Sequence, residues 1–381
     1  MNKDRIGCLL VSRRFAFPLL ALLLGVSVQK SLAQGQSFSQ RHSGAVYTLT
    51  NQPTGNSVMV LDRAADGTLT LAGSYPTGGA GTGTGADPLG SQGAVVLSES
   101  KRLLFAVDAG SNQVSAFAVD GDRLFLLNTI SSGGKTPISI AVHGNLVYVL
   151  NAGGTPNITG FTIDPRTNKL VPLAGSARPL NGGSAATPAE VSFNLDGSLL
   201  MVTEKGTQTI DTYRINRDGT ASSPISNPSG GSTPFGFEFT HRNLAIVAEA
   251  GPNALSSYRA QETEQLELIT GSLKNGQAAT CWAIVTDDGR YAYSVNAGTG
   301  TISSYAVSAE GDLTLLDPAA AVTGSGSTPT DPAFSSDSKF LYVRDGNLGL
   351  VYGYRVEANG SLTPINTTEG IPTGGQGLAA R

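Results

Sequence analysis

Three acidic residues and one arginine close short apolar runs at corresponding points of a repeated pattern. They are Asp108 after LLFAV, Glu204 after LLMVT, Glu249 after LAIVA and Arg344 after FLYV. A carboxylate crowded by others has its pKa raised toward the range of a general base, and an arginine holds a carboxylate or a developing oxyanion. Glu204 is accordingly the candidate general base, with Glu190 or Glu249 as its acid/base partner and Arg344 holding substrate charge. A second set stands near the starts of other apolar runs: Asp87, Gln92, Glu190, Phe235, Trp282, Asp331 and Gln376. Asp108, Gln92, Phe235, Trp282 and Asp331 are the candidate substrate-binding residues, Trp282 or Phe235 offering a stacking face to a sugar-like ligand.

Other chemistries fit poorly. Of the three histidines, His42 precedes the first apolar run, and His143 and His241 fall in turns at the opposite ends of the runs from the acidic residues, which disfavours a Ser-His-Asp triad or a histidine metal site. No EF-hand-like spacing is present, and no metal or cofactor is expected. The glycine-rich stretch TGGAGTGTGADPLG (77–90) has the composition of a phosphate cradle, but a strand pattern follows it where a helix is required, so it reads as a flexible rim loop. Cys281 has no neighbouring His or Lys in sequence to activate it and reads as a buried thiol.

The elements that must position these residues are short strands. Asn51, Asp108, Asn151, Glu204, Glu249, Asn296 and Arg344 mark the ends of seven similar runs, separated by 57, 43, 53, 45, 47 and 48 residues. A period near 50 built from short strands signals a β-propeller of four-stranded blades. One repeat shows the order: TPAEVSF (187–193), an Asp196-Gly197 turn, SLLMVTE, QTIDTYRI, an Asp218-Gly219 turn, and ASSPIS as a weak outer strand. No segment carries a helical period. The expected fold is all-β, a seven-bladed propeller in which the C-terminal PTGGQGLAA supplies the inner strand missing from the N-terminal blade, leaving no long free edge. In this order the marker residues and the starts of the inner strands share one face, around the channel mouth. Asn51, Asn151 and Asn296 read as turn residues whose side chains satisfy amides freed where the ladder ends.

The first residues read as an export signal. Lys3, Arg5, Arg13 and Arg14 precede an apolar stretch, Phe15 to Val28, too short to span a bilayer, and Ser31-Leu32-Ala33 offers small residues for cleavage. The expected organisation is a signal peptide at 1–33, a flexible leader at 34–43 and one propeller domain at 44–381, exported to the periplasm or the exterior with no membrane span after cleavage. Removing 1–33 takes away five basic residues and one acidic, leaving 20 against 28, a net charge of −8 that argues against nucleic acid as partner. With Cys8 gone, Cys281 is alone and no internal disulfide can form, so the core must hold the fold.

The repeated unit P-x-x-V-x-F…DG-x-L-L-x-V-x-E and the DAG at 108–110 resemble the lactonase family of seven-bladed propellers, which includes bacterial 6-phosphogluconolactonase and the fungal carboxymuconate-cyclising enzyme. The resemblance implies metal-independent opening or closing of a lactone ring at the channel mouth, on a small lactone or sugar-like ligand, by a monomer. It places Glu204 on the family's strand-ending glutamate and Asp108 on its D-x-G aspartate. Where active members carry an Arg-His pair this chain has Ala189-Glu190, and where they carry histidines at the second blade it has Ser91, Gln92 and Gly93. The other reading is therefore a propeller that has lost the reaction and binds a carbohydrate, a cell-envelope ligand or a protein.

Overall fold

The computed structural model describes residues 43–381; the expected signal peptide and all but the last residue of the leader lie outside them. Seven antiparallel sheets form the ring, each with an inner strand beside the axis and an outer strand at the rim. The fourth blade illustrates the local logic. Pro188–Phe193, Leu199–Glu204, Thr209–Arg214 and Ile225–Pro228 pair in that order, so the outer strand starts within the expected ASSPIS at Ile225 and runs on to Pro228, while Ala221 makes only a single bridge to Ile215. The third blade adds a short fifth strand, Arg178–Pro179. The one helical element among the described residues is a three-residue 3-10 turn, Gly183–Ala185.

The hairpins are set by their turn residues. Asp66, Asp196, Asp218 and Asn359 each accept the backbone N–H two residues on, and the glycine between them takes a left-handed φ, at Gly67 (+90°), Gly197 (+71°), Gly219 (+83°) and Gly360 (+81°). That combination is the side-chain-capped turn that Asx-Gly favours. Three of these glycines also tie neighbouring blades together: Tyr148 Oη donates to Gly219, Tyr293 Oη to Gly360 and Tyr342 Oη to Gly67. A hydrogen-bonded turn thus serves as a latch as well as a link.

The ring closes as expected. The C-terminal strand Gln376–Ala380 pairs antiparallel with Gly44–Leu49, Val46 facing Ala380 and Tyr47 facing Ala379. Arg63 donates to the Arg381 carbonyl and Arg381 to the Tyr47 hydroxyl, pinning the seam. The second strand of each blade is buried on both faces, with Phe105, Tyr148, Tyr293 and Tyr342 fully enclosed between blades. Burial of such side chains stabilises by roughly 1.5–3 kcal/mol each and stands in for the missing disulfide.

Inner strands are stapled to one another by side chains. Ser139 accepts the Val191 N–H, Glu190 the Phe237 N–H at 2.6 Å, Glu238 the Val285 N–H at 2.6 Å and Asp331 the Gly377 N–H at 3.0 Å. Six of the seven inner strands bulge near their starts, at residues 188–190, 234–237, 280–282 and 330–332 among others, the exception being the short Val95–Leu97. A bulge leaves ladder groups unpaired, and these side chains reach across to a neighbouring blade's free donors.

Candidate active site at the channel mouth

The segment joining the first blade's outer strand (Leu69–Pro76) to the short inner strand of the second (Val95–Leu97) does not stay at the rim. It crosses the mouth as a strap. Ser91 donates to Ile138 and receives Trp282 Nε1 at 3.0 Å, while Gly93 receives Ile140 N–H. Gln92 bridges the axis, its amide NH2 donating to Phe237 and Ala283 carbonyls and its oxygen accepting Ala283 N–H. The glycines in 77–94 are what let backbone lie against backbone. A Cβ on Gly346 in blade 7 would sit 1.8 Å from the strap carbonyl of Ala86.

Asp87 on the strap and Lys205 in the fourth blade's second turn meet at one residue. Asp87 Oδ1 accepts the Gly90 N–H at 3.0 Å, and Lys205 Nζ donates to the Gly90 carbonyl at 2.5 Å. Lys205 Nζ also lies 4.7 Å above the Phe235 ring, a favourable cation–π placement. Both charged side chains are half-buried at the mouth. Burial raises Asp87 to about 6 against the opposing pull of Lys205, the Gly90 N–H and Arg344. Burial lowers Lys205, opposed by the charge of Asp87. Cys281 stands half-buried nearby, its thiol pushed up to about 12 by desolvation, and is an inert neighbour rather than a nucleophile.

A second layer lies beneath. Arg344 is fully enclosed, donating to Pro372 O at 3.0 Å with its Nε unpartnered under Gly375. Its charge acts on Asp331, Asp345 and Asp87. Asp331 is raised to about 7 by burial and by Asp87, against Arg344 and the Gly377 N–H.

Several sequence expectations change here. Arg344 is not the seventh marker residue. Pro329 faces Asp345 as Pro188 faces Glu204 and Pro234 faces Glu249, so Asp345 holds that position and Arg344 points the other way. The marker carboxylates are turn caps. Asp108 accepts Thr77, Ser115 and Asn56; Glu204 accepts Thr207 Oγ1 at 2.5 Å and Gly182 N–H; Glu249 accepts Ser229, Tyr258 and Ser272. All three are 0% exposed. They share the role read for the asparagines: a polar side chain caps the freed ends of the ladder, packed under Gly79, Gly182 and Gly231.

Glu190 is separated from Glu204. It staples blades 4 and 5 and lines a cavity of about 320 Å³ on the far face, together with Glu238, Lys101 and Asp287. Trp282 is 1% exposed, packed edge-to-face on Phe235 at 5.2 Å, and presents no face to a ligand. Phe235 is buried beneath Lys205, and Gln92 plugs the axis between the two faces. His143 and His241 pair with Glu99 and Asp287 on the far face. Among the described residues no group of three or more His, Cys, Asp or Glu is placed to hold a metal ion, and no helix is long and apolar enough to cross a membrane. Lys205 was not singled out from the sequence. The signal was available, because it is the one basic residue in the seven turns between second and third strands.

A family model described as lactonase, 7-bladed beta-propeller, matches residues 38–182 and 274–380. The chain belongs to this lactonase family. Among solved structures it is similar to a Lactobacillus plantarum protein (22% identity, TM-score 0.69, covering 89% of this chain and 98% of that one). A proposed 6-phosphogluconolactonase from Bacteroides uniformis follows (19%, 0.68, 87% and 98%), with the periplasmic gluconolactonase of Pseudomonas aeruginosa (16%, 0.67, 88% and 98%). At these identities the structures establish the fold alone. No curated protein sequence matches the chain.

Proposed function

We propose that this lactonase-family propeller opens a small lactone at its channel mouth as an exported monomer, with Asp87 as general base. The sequence pointed to Glu204, but that carboxylate is spent beneath its turn on Thr207 and Gly182. The observation that carries the reading is the shared grip of Asp87 and Lys205 on Gly90, which fixes a carboxylate and an ammonium at one half-buried place. Ionised above about 6, Asp87 takes a proton from water as its oxygen attacks the lactone carbonyl. Lys205 receives the developing oxyanion, in a site dry enough for that charge to matter. Collapse expels the ring oxygen as an alkoxide, which recovers the proton from Asp87. Arg344 acts from beneath, on Asp87 rather than on substrate.

A second reading, binding without turnover, is favoured by the lack of a histidine at the mouth among the described residues, where His143 and His241 sit on the far face. A panel of aldonolactones and muconolactones, followed by acid release in a pH-stat, separates the two. The hydrolytic reading expects turnover that Asp87→Asn lowers by about 10²–10⁴-fold. Equal turnover by wild type and Asp87→Asn removes Asp87 from the reaction, and no turnover on any member favours the binding module.

A further inference from the structure

The channel holds a second concave site, which lactone hydrolysis leaves unused. Gln92 plugs the axis, and beyond it on the far face lies the cavity of about 320 Å³. At about 30 Å³ per water, that is room for on the order of ten waters. Inner strands of the ring supply its walls. Leu97, Phe237, Ile284, Phe334 and Leu378 line it with carbon, and Glu190 and Glu238 are set into that apolar wall.

The staples hold each of these carboxyl groups by one oxygen. Glu190 Oε2 accepts the Phe237 N–H and Glu238 Oε2 the Val285 N–H, both at 2.6 Å, and among the described residues no hydrogen bond reaches Glu238 Oε1. Their charge is poorly answered. Glu190 is 6% exposed, and the charges acting on it are those of Glu238 and Asp331, opposed by the Phe237 N–H and the Gln92 amide. Glu238 feels Lys101 at the cavity edge, offset by Asp287, which pairs with His241. A carboxylate buried without an adequate counter-charge is costly, so a ligand that brings a cation is favoured there. Two carboxylates do not make a metal cage, since a hard divalent ion such as calcium takes six to eight oxygen ligands, which leaves an organic cation.

We infer that the far-face cavity binds a small primary ammonium compound with a short alkyl body. The ammonium donates to Glu238 Oε1 and is drawn by Glu190, and the carbon chain lies along Leu97, Ile284 and Leu378. An anion is repelled by the same two groups, and a neutral alcohol of equal length gains the apolar contacts without the charge. Binding is non-covalent and changes no bond of the ligand. The site lies on the opposite face from Asp87 and Lys205, and it stands whether or not that pair opens a lactone.

The test is a ligand-detected NMR titration of the purified full chain with n-butylammonium, n-butanol and butyrate. Butylammonium is expected to bind tightest. Glu238→Gln keeps an acceptor for the Val285 N–H and should weaken it about tenfold or more, as loss of a hydrogen bond to a charged group does. Lys101→Met removes a like charge and should tighten binding, a change that damaged folding cannot mimic. Glu238 gives up its proton at about 7, so affinity should rise about tenfold between pH values of about 6 and about 8. Asp87→Asn should leave binding unchanged, and a loss there would place the amine at the mouth and overturn the site. Butanol binding as tightly as butylammonium, Glu238→Gln binding like wild type, or Lys101→Met binding no tighter also overturns it. Displacement of butylammonium by equimolar calcium overturns the ammonium class. Lactone turnover enters none of these readouts, so the two readings fail separately.

Discussion

Asp87 and Lys205 hold opposite ends of Gly90, one accepting its N–H at 3.0 Å and the other donating to its carbonyl at 2.5 Å. Gly90 permits this because it sits at φ +58°, and an added Cβ would come within 3.2 Å of Lys205 Nζ. Gly90→Ala is therefore expected to lower stability by about 1 kcal/mol, the usual cost of a side chain in the left-handed region. It should reduce lactone turnover by about tenfold through the displaced ammonium. Urea unfolding and pH-stat assays on the same preparation check both. A variant with lost stability and unchanged turnover would separate Gly90 from the site.

The pH profile of turnover follows from the same pair. Asp87 must be ionised to accept a proton, so kcat/KM should rise through a pH of about 6. Burial is what raises this group, and the Lys205 charge is the largest force opposing the rise. Lys205→Met removes that charge, so the inflection should move to higher pH while the maximum falls. An inflection that stays in place would mean that another group is being titrated.

How much of this was legible in the sequence follows from what each signal encodes. Asx-Gly turns and period-2 alternation are local, and they gave the blades and the seam at Val46. A one-residue slip reverses every side chain of a strand, and that slip exchanged Arg344 for Asp345, because both residues end the same apolar run. Asp87 stood among the inner-strand starts at the mouth, but its pairing with Lys205 escaped detection for a different reason. Asp87 and Lys205 are 118 positions apart and meet only because the glycine-rich strap crosses the axis, a path no local pattern states.

Glu204 and Asp87 should respond in opposite ways to loss of charge. Glu204→Gln replaces one acceptor oxygen with a donor facing the Thr207 hydroxyl or the Gly182 N–H. A buried group left unsatisfied costs about 1–3 kcal/mol, so its melting temperature should fall while turnover per folded molecule is kept. Asp87→Asn should show the reverse. Circular-dichroism melts paired with active-site-normalised rates decide it, and abolished turnover in a fully folded Glu204→Gln would return the base to Glu204.

Ring closure offers a prediction about latches. Tyr342 Oη donates to Gly67 O at 2.7 Å across the seam between the last and first blades, as Tyr148 and Tyr293 do within the ring. Tyr342→Phe leaves the Gly67 carbonyl without this donor and should cost about 1–3 kcal/mol, measured by urea unfolding. Tyr148→Phe should cost a similar amount if the seam is an ordinary blade junction. A much larger cost at Tyr342 would instead make the seam the weak point of the ring.

The inner-strand staples make stability fall as pH rises. Glu238 gives one oxygen to the Val285 N–H, and burial raises it from the ordinary 4.5 to about 7, that N–H and the Lys101 charge acting in opposition. Because the folded state keeps the proton longer than the unfolded chain, the contribution is fully present below about 4.5 and is lost as pH rises through about 7. The shift corresponds to about 3 kcal/mol for this one group. Asp331, raised to about 7 chiefly by burial, adds in the same direction. Glu238→Gln retains an acceptor for Val285 and cannot ionise, so the fall in urea midpoint between pH values of about 5 and about 8 should shrink by this contribution. An undiminished slope in the variant would place the titration elsewhere in the ring.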